Sequence, residues 1–404
     1  MSRLVENITI FVAALLLASV AFNQYTLASE LEEDWFTVDI HGFISQGYLK
    51  SDKNQFYANT KDGTFQFNEV GVNFSTELTD SLRVGLQLLS RDLGDVGNNA
   101  IEIDWAYGLY RWKDWLTLQA GLIKTPWGLY NDTRDLDMLR TPIFLPPSLY
   151  VEEARGIYNS IWGIGVGGSF LLGNVGALNY QCGFGEKDIT PMIKELQDGP
   201  YVNILDITVG NILGGIIDWE TPLDGLRLRT SLGRYDYEGE FQVLSPGGET
   251  PESAPPQWFP IHKQDKNNFY SIFSAEYTWN NLVLATEYYS ENHGHKDPEE
   301  GYYASAAYRV SDWLELGAYY SVAYPDARDK NGEKLHEATG RPEFFAWQKE
   351  WVLTTRFDFN EYWLLKLEGH FINGVGRLPF DDPIEPQEIE ENSFLFAVKT
   401  TFSF

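Results

Sequence analysis

The sequence predicts an all-β chain: a transmembrane antiparallel β-barrel of about sixteen strands, with one long loop folded into its lumen. Three observations carry this. Segments of about ten residues alternate apolar and polar side chains, as strands do between lipid and water. The connections between them are alternately short and long. One irregular stretch, residues 124–156, interrupts the alternation, yet it is too rich in large apolar side chains to be disordered.

Composition narrows the classes. A 404-residue chain suits one large barrel. A formal charge of -28 excludes nucleic acid as a partner. Aromatic residues at 15% suit the interfacial girdles of a membrane barrel. Cys182 is the only cysteine, so neither an internal disulfide nor a multi-cysteine metal site can form. At the start, Arg3 precedes an apolar run from Ile8 to Ala21 that is too short to span a membrane comfortably. Residues 1–28 therefore read as a signal peptide cleaved after Ala28, with residues 29–404 as one barrel domain.

The strands are expected in sequence as follows. Val38–Lys50 and Phe65–Leu78 come first, and Thr79-Asp80-Ser81 turns the chain into Leu82–Arg91. Ile101–Trp112 and Trp115–Ile123 meet at Lys113-Asp114, and the long loop follows. Ile157–Phe170 and Val175–Phe184 are joined at Gly173-Asn174. Ile204–Trp219 turns at Pro222–Gly225 into Leu226–Tyr237, and a Pro-rich loop is expected over Glu238–Lys266. Phe269–Trp279 and Leu282–Ser290 share the Asn280-Asn281 turn. Tyr302–Val310, Trp313–Tyr324, Trp347–Phe359, Trp363–Ile372 and Asn392–Phe404 complete the set.

Alternation also assigns the faces. Leu226, Leu228 and Leu232 oppose Arg227 and Arg229, and Trp363, Leu365 and Leu367 oppose Lys366 and Glu368. A charge on the lipid face costs about 2–4 kcal/mol at the midplane for Arg or Lys, so the charged face turns inward. The expected pore-lining set is Arg83, Glu102, Asp104, Arg227, Arg229, Glu287, Arg309, Arg356, Lys366 and Glu368. A β-sandwich shows the same alternation with its apolar face inward, and pattern alone does not separate the two.

The long loop carries the densest polar set: Asp132, Arg134, Asp135, Asp137, Arg140, Glu152, Glu153 and Arg155. Folded inward, these would form the constriction and set its field. Trp127, Tyr130, Leu136, Met138, Leu139, Ile143, Phe144, Leu145 and Tyr150 would anchor the loop to the wall. Some of the charges would instead pin the loop by pairing. Catalytic chemistry has weaker support. No Gly-x-Ser-x-Gly elbow occurs. His293, His295 and Asp297 offer metal-type ligands, but few others stand near them in sequence, so neither a metal nor a cofactor is expected.

Gly121-Leu-Ile-Lys-Thr-Pro-Trp-Gly-Leu-Tyr-Asn-Asp-Thr-Arg-Asp135, with Arg140-Thr-Pro142 and Phe144-Leu-Pro-Pro-Ser-Leu-Tyr150, resembles bacterial outer-membrane porins related to the phosphate-selective porin O/P group. The resemblance implies sixteen strands, a homotrimer and a third extracellular loop folded into the pore. It also implies a bacterial outer-membrane setting, with lipid and lipopolysaccharide outside the barrel and small hydrophilic solutes or ions within. The dense Lys/Arg cluster of the phosphate-selective members has no counterpart here. A secreted carbohydrate-active β-protein, either a glycoside hydrolase or a sugar-binding protein, is the alternative reading. The terminal Phe404, which ends an alternating aromatic strand, resembles the assembly signal of outer-membrane barrels.

Overall fold

A computed structural model describes residues 37–57, 59–94, 96–152, 154–189, 202–244, 258–294, 298–377 and 389–404. The expected signal peptide, Glu153, His295 and Asp297 lie outside them. Sixteen antiparallel strands form a closed barrel in which each pairs with its sequence neighbours. They are β1 (Asp39–Ser51), β2 (Phe67–Thr79), β3 (Leu82–Leu93), β4 (Ile101–Lys113), β5 (Leu116–Lys124), β6 (Ser160–Leu171), β7 (Ala177–Ile189) and β8 (Val202–Glu220). The second half comprises β9 (Leu226–Leu244), β10 (Trp258–Trp279), β11 (Leu282–Asn292), β12 (Glu299–Ser311), β13 (Leu314–Tyr324), β14 (Gln348–Asn360), β15 (Trp363–Gly374) and β16 (Asn392–Ser403). β1 closes on β16 from Phe43 opposite Ser403 to Ser51 opposite Leu395, which leaves no free sheet edge around the barrel.

All sixteen expected strands are present, and several differ in extent. β7 runs on to Ile189, past the expected end at Phe184, and β12 begins at Glu299, ahead of the expected Tyr302. Two further differences bear on the loops. Residues 157 and 158 belong to a helical turn, Arg155–Tyr158, and β6 starts at Ser160. The Pro-rich stretch expected as loop is instead partly a ribbon: β9 runs on to Leu244, and β10 begins at Trp258. Pro260 stands opposite Gln242 of β9, while β10 meets β11 only from Phe269 onward. Pro260 thus lies on a stretch paired on one side only, a position where proline is tolerated.

The faces follow the alternation. Trp162, Ile164 and Val166 of β6, Phe273 of β10, Trp351 and Leu353 of β14, and Phe371 of β15 are exposed on the outside. On the inside, β16 buries Leu395, Ala397, Lys399 and Thr401. A sandwich would show the reverse. An apolar outer belt around a charged interior is stable only where lipid, not water, bathes the outside. Among the described residues no helix is long and apolar enough to cross a membrane.

The apolar core is formed between the barrel wall and the inward loop. One cluster joins Trp127, Leu145, Leu149 and Tyr150 of the loop to Tyr270, Ile272, Tyr289 and Tyr303 of the wall. A second joins Ile143 and Phe144 to Leu49, Phe67, Ile372 and Leu395.

Candidate functional site: the loop inside the barrel

The loop leaves β5 after Lys124 and returns at Ser160. Its neck is closed by Thr125 N–H donating to Asn159 O at 3.0 Å. Asn131 reinforces the closure, its Nδ2 donating to Thr125 O (3.0 Å) and Asn159 O (3.1 Å). Pro126, Pro142, Pro146 and Pro147 keep this segment from joining a ladder, so its amides must find other acceptors.

Wall carboxylates supply those acceptors. Leu129 N–H donates to Glu287 Oε2 at 2.9 Å. Ile143 and Phe144 N–H donate to Glu368 at 2.7 and 3.2 Å. Ser148 N–H reaches Ser321 Oγ at 3.2 Å. Glu287 also accepts from Tyr150 (2.5 Å), Tyr303 (2.7 Å) and Ser274 (2.6 Å). Each such bond to an ionised acceptor contributes about 1.5–3 kcal/mol. Gly128 has φ +55°, and a Cβ there would lie 2.4 Å from Tyr150 Oη, so only glycine admits this approach.

Two ionic groups hold the rest. In the first, Asp137 lies between Lys399 (2.7 Å) and Lys366 (3.6 Å), with Arg140 at 3.0 Å and the Thr401 hydroxyl at 2.8 Å. Lys366 Nζ also donates to Asp137 O and Pro142 O, and Arg356 Nη1 to Met138 O. Arg140 further reaches Arg134 O and Ile143 O. In the second, Arg155 pairs with Asp135 and with Asp104 (3.1 Å), and Lys124 pairs with the same two carboxylates at 3.1 and 2.7 Å. Nearby, Glu152 accepts from Arg134 (2.9 Å) and Arg91 (2.8 Å).

The loop's carboxyls respond to these partners. Burial alone would raise Asp137, but Lys399, Lys366 and Arg140 outweigh it and hold it far below the usual carboxylate range. Burial is outweighed in the same way at Asp135 by Arg155 and Lys124, and at Glu152 by Arg134 and Arg91. Asp132 is raised: its surface is open to the lumen, but the protein mass around it makes its charged form less well solvated than in bulk water, and Arg229, Lys124 and Arg227 offset this only in part.

The expected constriction charges therefore divide into two groups. Arg134, Asp135, Asp137 and Arg155 are buried and paired, and so do not project into water. Glu152 and Arg140 are largely covered, and Asp132 is exposed. Leu136 and Leu139, expected as anchors, are 36% and 64% exposed at the loop tip. Among the expected pore-lining residues, Glu287, Arg356, Lys366, Glu368 and Asp104 are buried beneath the loop. Arg83 and Glu102 are exposed. Arg227 and Arg309 keep about a third of their side chains open (31% and 33%), and Arg229 is held by Asp218 and by Gly128 O. Arg309 pairs with Glu315 at 2.7 Å and with Asp358.

Sequence reading missed Lys124, Glu69, Arg91, Asn159 and Asp218 as partners. Glu69 and Arg91 follow from strand parity, since Arg91 shares a face with Gln87. Lys124 and Asn159 sit where strand meets loop and carry no periodic signal.

No protein-family model matches the chain, and no curated protein matches it in sequence. Solved structures of bacterial outer-membrane barrels do match in fold. OmpF of Salmonella typhi, in complex with daunomycin, is 13% identical with a TM-score of 0.58, covering 93% of this chain and 100% of that one. The trimer form of OmpT, an outer membrane protein of Vibrio cholerae, is 12% identical with a TM-score of 0.54, covering 92% and 100%. An anion-selective porin from Comamonas acidovorans is 11% identical with a TM-score of 0.53, also covering 92% and 100%. The chain, a closed barrel of sixteen strands, shares its fold with these bacterial outer-membrane proteins, porins among them.

Proposed function

We propose that this protein is a bacterial outer-membrane porin through which small hydrophilic solutes or ions diffuse. The observation that supports this reading most is the loop, pinned inside a closed barrel whose outer belt is apolar. A loop held by so many buried bonds narrows the lumen permanently and leaves Asp132, Arg83, Arg227 and Arg309 open to water. Charged side chains at a constriction bounded by low-dielectric walls act on passing ions. Acid and base are mixed there, which suits weak selectivity more than capture of phosphate. Lipid and lipopolysaccharide would surround the belt, and three copies would assemble, as the trimer form of the Vibrio cholerae protein does.

Planar-bilayer recording tests this. The unaltered protein should give stepwise conductance, and removing residues 131–141 should raise it. Asp132→Lys should move the reversal potential toward anions. Arg134→Ala with Arg140→Ala should give noisy channels, because Arg134 pins the loop and does not face the ions. A protein that inserts yet conducts nothing would overturn the reading, and unchanged conductance after the deletion would remove the loop from the pore.

A further inference from the structure

The outer ends of β11 and β12 bring together groups that the inward loop does not use. Glu291 stands one residue before the end of β11, His293 follows the strand, and Glu299 opens β12. His293 Nδ1 lies 3.9 Å from Glu291 Oε1, and its Nε2 lies 3.9 Å from Glu299 Oε2. One donor atom from each of the three residues falls within 4.8 Å of the other two. Both separations are longer than a hydrogen bond. The two contacts use different ring nitrogens, and one ion takes only one of them, so the donor set that matters is the one within 4.8 Å. Two ligands of a tetrahedral ion at about 2.0–2.2 Å stand about 3.4 Å apart, and the three side chains would have to close by that difference on binding.

Both carboxylates are oriented by neighbouring groups. The hydroxyl of Tyr289 donates to Glu291 Oε2, and that of Tyr235 to Oε1, the oxygen that also faces His293 and keeps a second lone pair. Arg377 pairs with Glu299 through Oε1 and leaves Oε2 on the histidine side. Partners of this kind fix the ligands of a metal and set their basicity.

An independent observation comes from β10. Asn268 is fully buried and shares the inner face with Tyr270, which stands opposite Glu291. The ladder ends at Phe269 opposite Asn292, and the next residues on the two segments are Asn268 and His293. Asn268 Nδ2 donates to Asp265 O at 3.4 Å, whereas Oδ1 has no hydrogen-bond partner among the described residues. A buried acceptor is rarely left unused.

We propose that Glu291, His293 and Glu299, with the amide oxygen of Asn268, form a site for one divalent cation at the outer rim of the barrel. One imidazole nitrogen with carboxylate and amide oxygens suits a borderline ion such as Zn²⁺. The charge count agrees. Two carboxylates against Arg377 leave one negative charge when the histidine is neutral. The site also touches the inward loop. Arg377 Nη2 donates to Ser148 O at 3.4 Å, and Tyr289 lies against Trp127 with ring centroids 5.5 Å apart. A bound cation would tie the rim to the constriction.

The test uses the folded, full-length protein in detergent, stripped with a chelator and titrated calorimetrically with Zn²⁺. Circular dichroism and heat-modifiable gel migration monitor the fold. One saturable ion per chain is expected, with His293→Gln and Glu299→Gln each weakening binding at least tenfold. No saturable uptake by the unaltered protein overturns the site, as does equal affinity in a folded double variant. A second reading needs no variant. Co²⁺ should give visible absorption bands that Zn²⁺ abolishes, and their absence rejects the proposal.

Discussion

Replacing Asp137 with Asn would release the tip of the inward loop. Asp137 is buried between Lys366 and Lys399 and also holds Arg140 and Thr401. An amide of the same size keeps the shape and removes the charge, which leaves the buried Lys366 ammonium without a carboxylate, whereas Lys399 keeps its pair with Glu69. Breaking one side of a buried ion pair costs about 3–5 kcal/mol. At about 1.4 kcal/mol per tenfold, the detached tip becomes roughly a hundred to a few thousand times more populated. Some of the bonds at the tip survive, because Lys366 still reaches Asp137 O and Pro142 O, and Arg356 still reaches Met138 O. The expected phenotype is therefore frequent excursions between the native conductance and a larger one, not a permanently wide pore. Single-channel recording resolves these excursions. Channels of Asp137→Asn as quiet as the native ones would refute the view that this carboxylate holds the loop.

Three further outcomes follow from the loop's anchors. Asp135, Asp137 and Glu152 all have depressed folded-state pKa values, so their stabilisation is fully present above the unfolded carboxylate value of about 4, begins to fall below it and is lost as pH falls through the still lower folded-state values. Channel noise should thus rise below about pH 4, and equal noise at pH 7 and pH 3 would contradict this. Gly128→Ala meets both a left-handed backbone and Tyr150 Oη, and should destabilise the folded barrel by about 2–5 kcal/mol in urea titration in lipid. Trp127→Ala, which empties a site 2% exposed, should cost about 3–5 kcal/mol in the same assay, and a loss under 1 kcal/mol would show that the loop is not anchored there.

The sequence by itself determined the sixteen strands, their order and their two faces. A strand repeats every two residues, and lipid forbids charge on one side, so Arg227 and Arg229, or Lys366 and Glu368, could only turn inward. It also marked the loop, because prolines and mixed charges break that period between Lys124 and Ile157. The fate of each inward charge was decided by tertiary structure. Lys366 and Arg227 share the same parity and the same chemistry, yet one is sealed under the loop and the other is partly open. That difference depends on where the loop comes to rest, which its aperiodic sequence does not encode position by position. Leu139 and Phe144 likewise look alike in sequence. Only the closed barrel decides which of them meets the wall and which meets water.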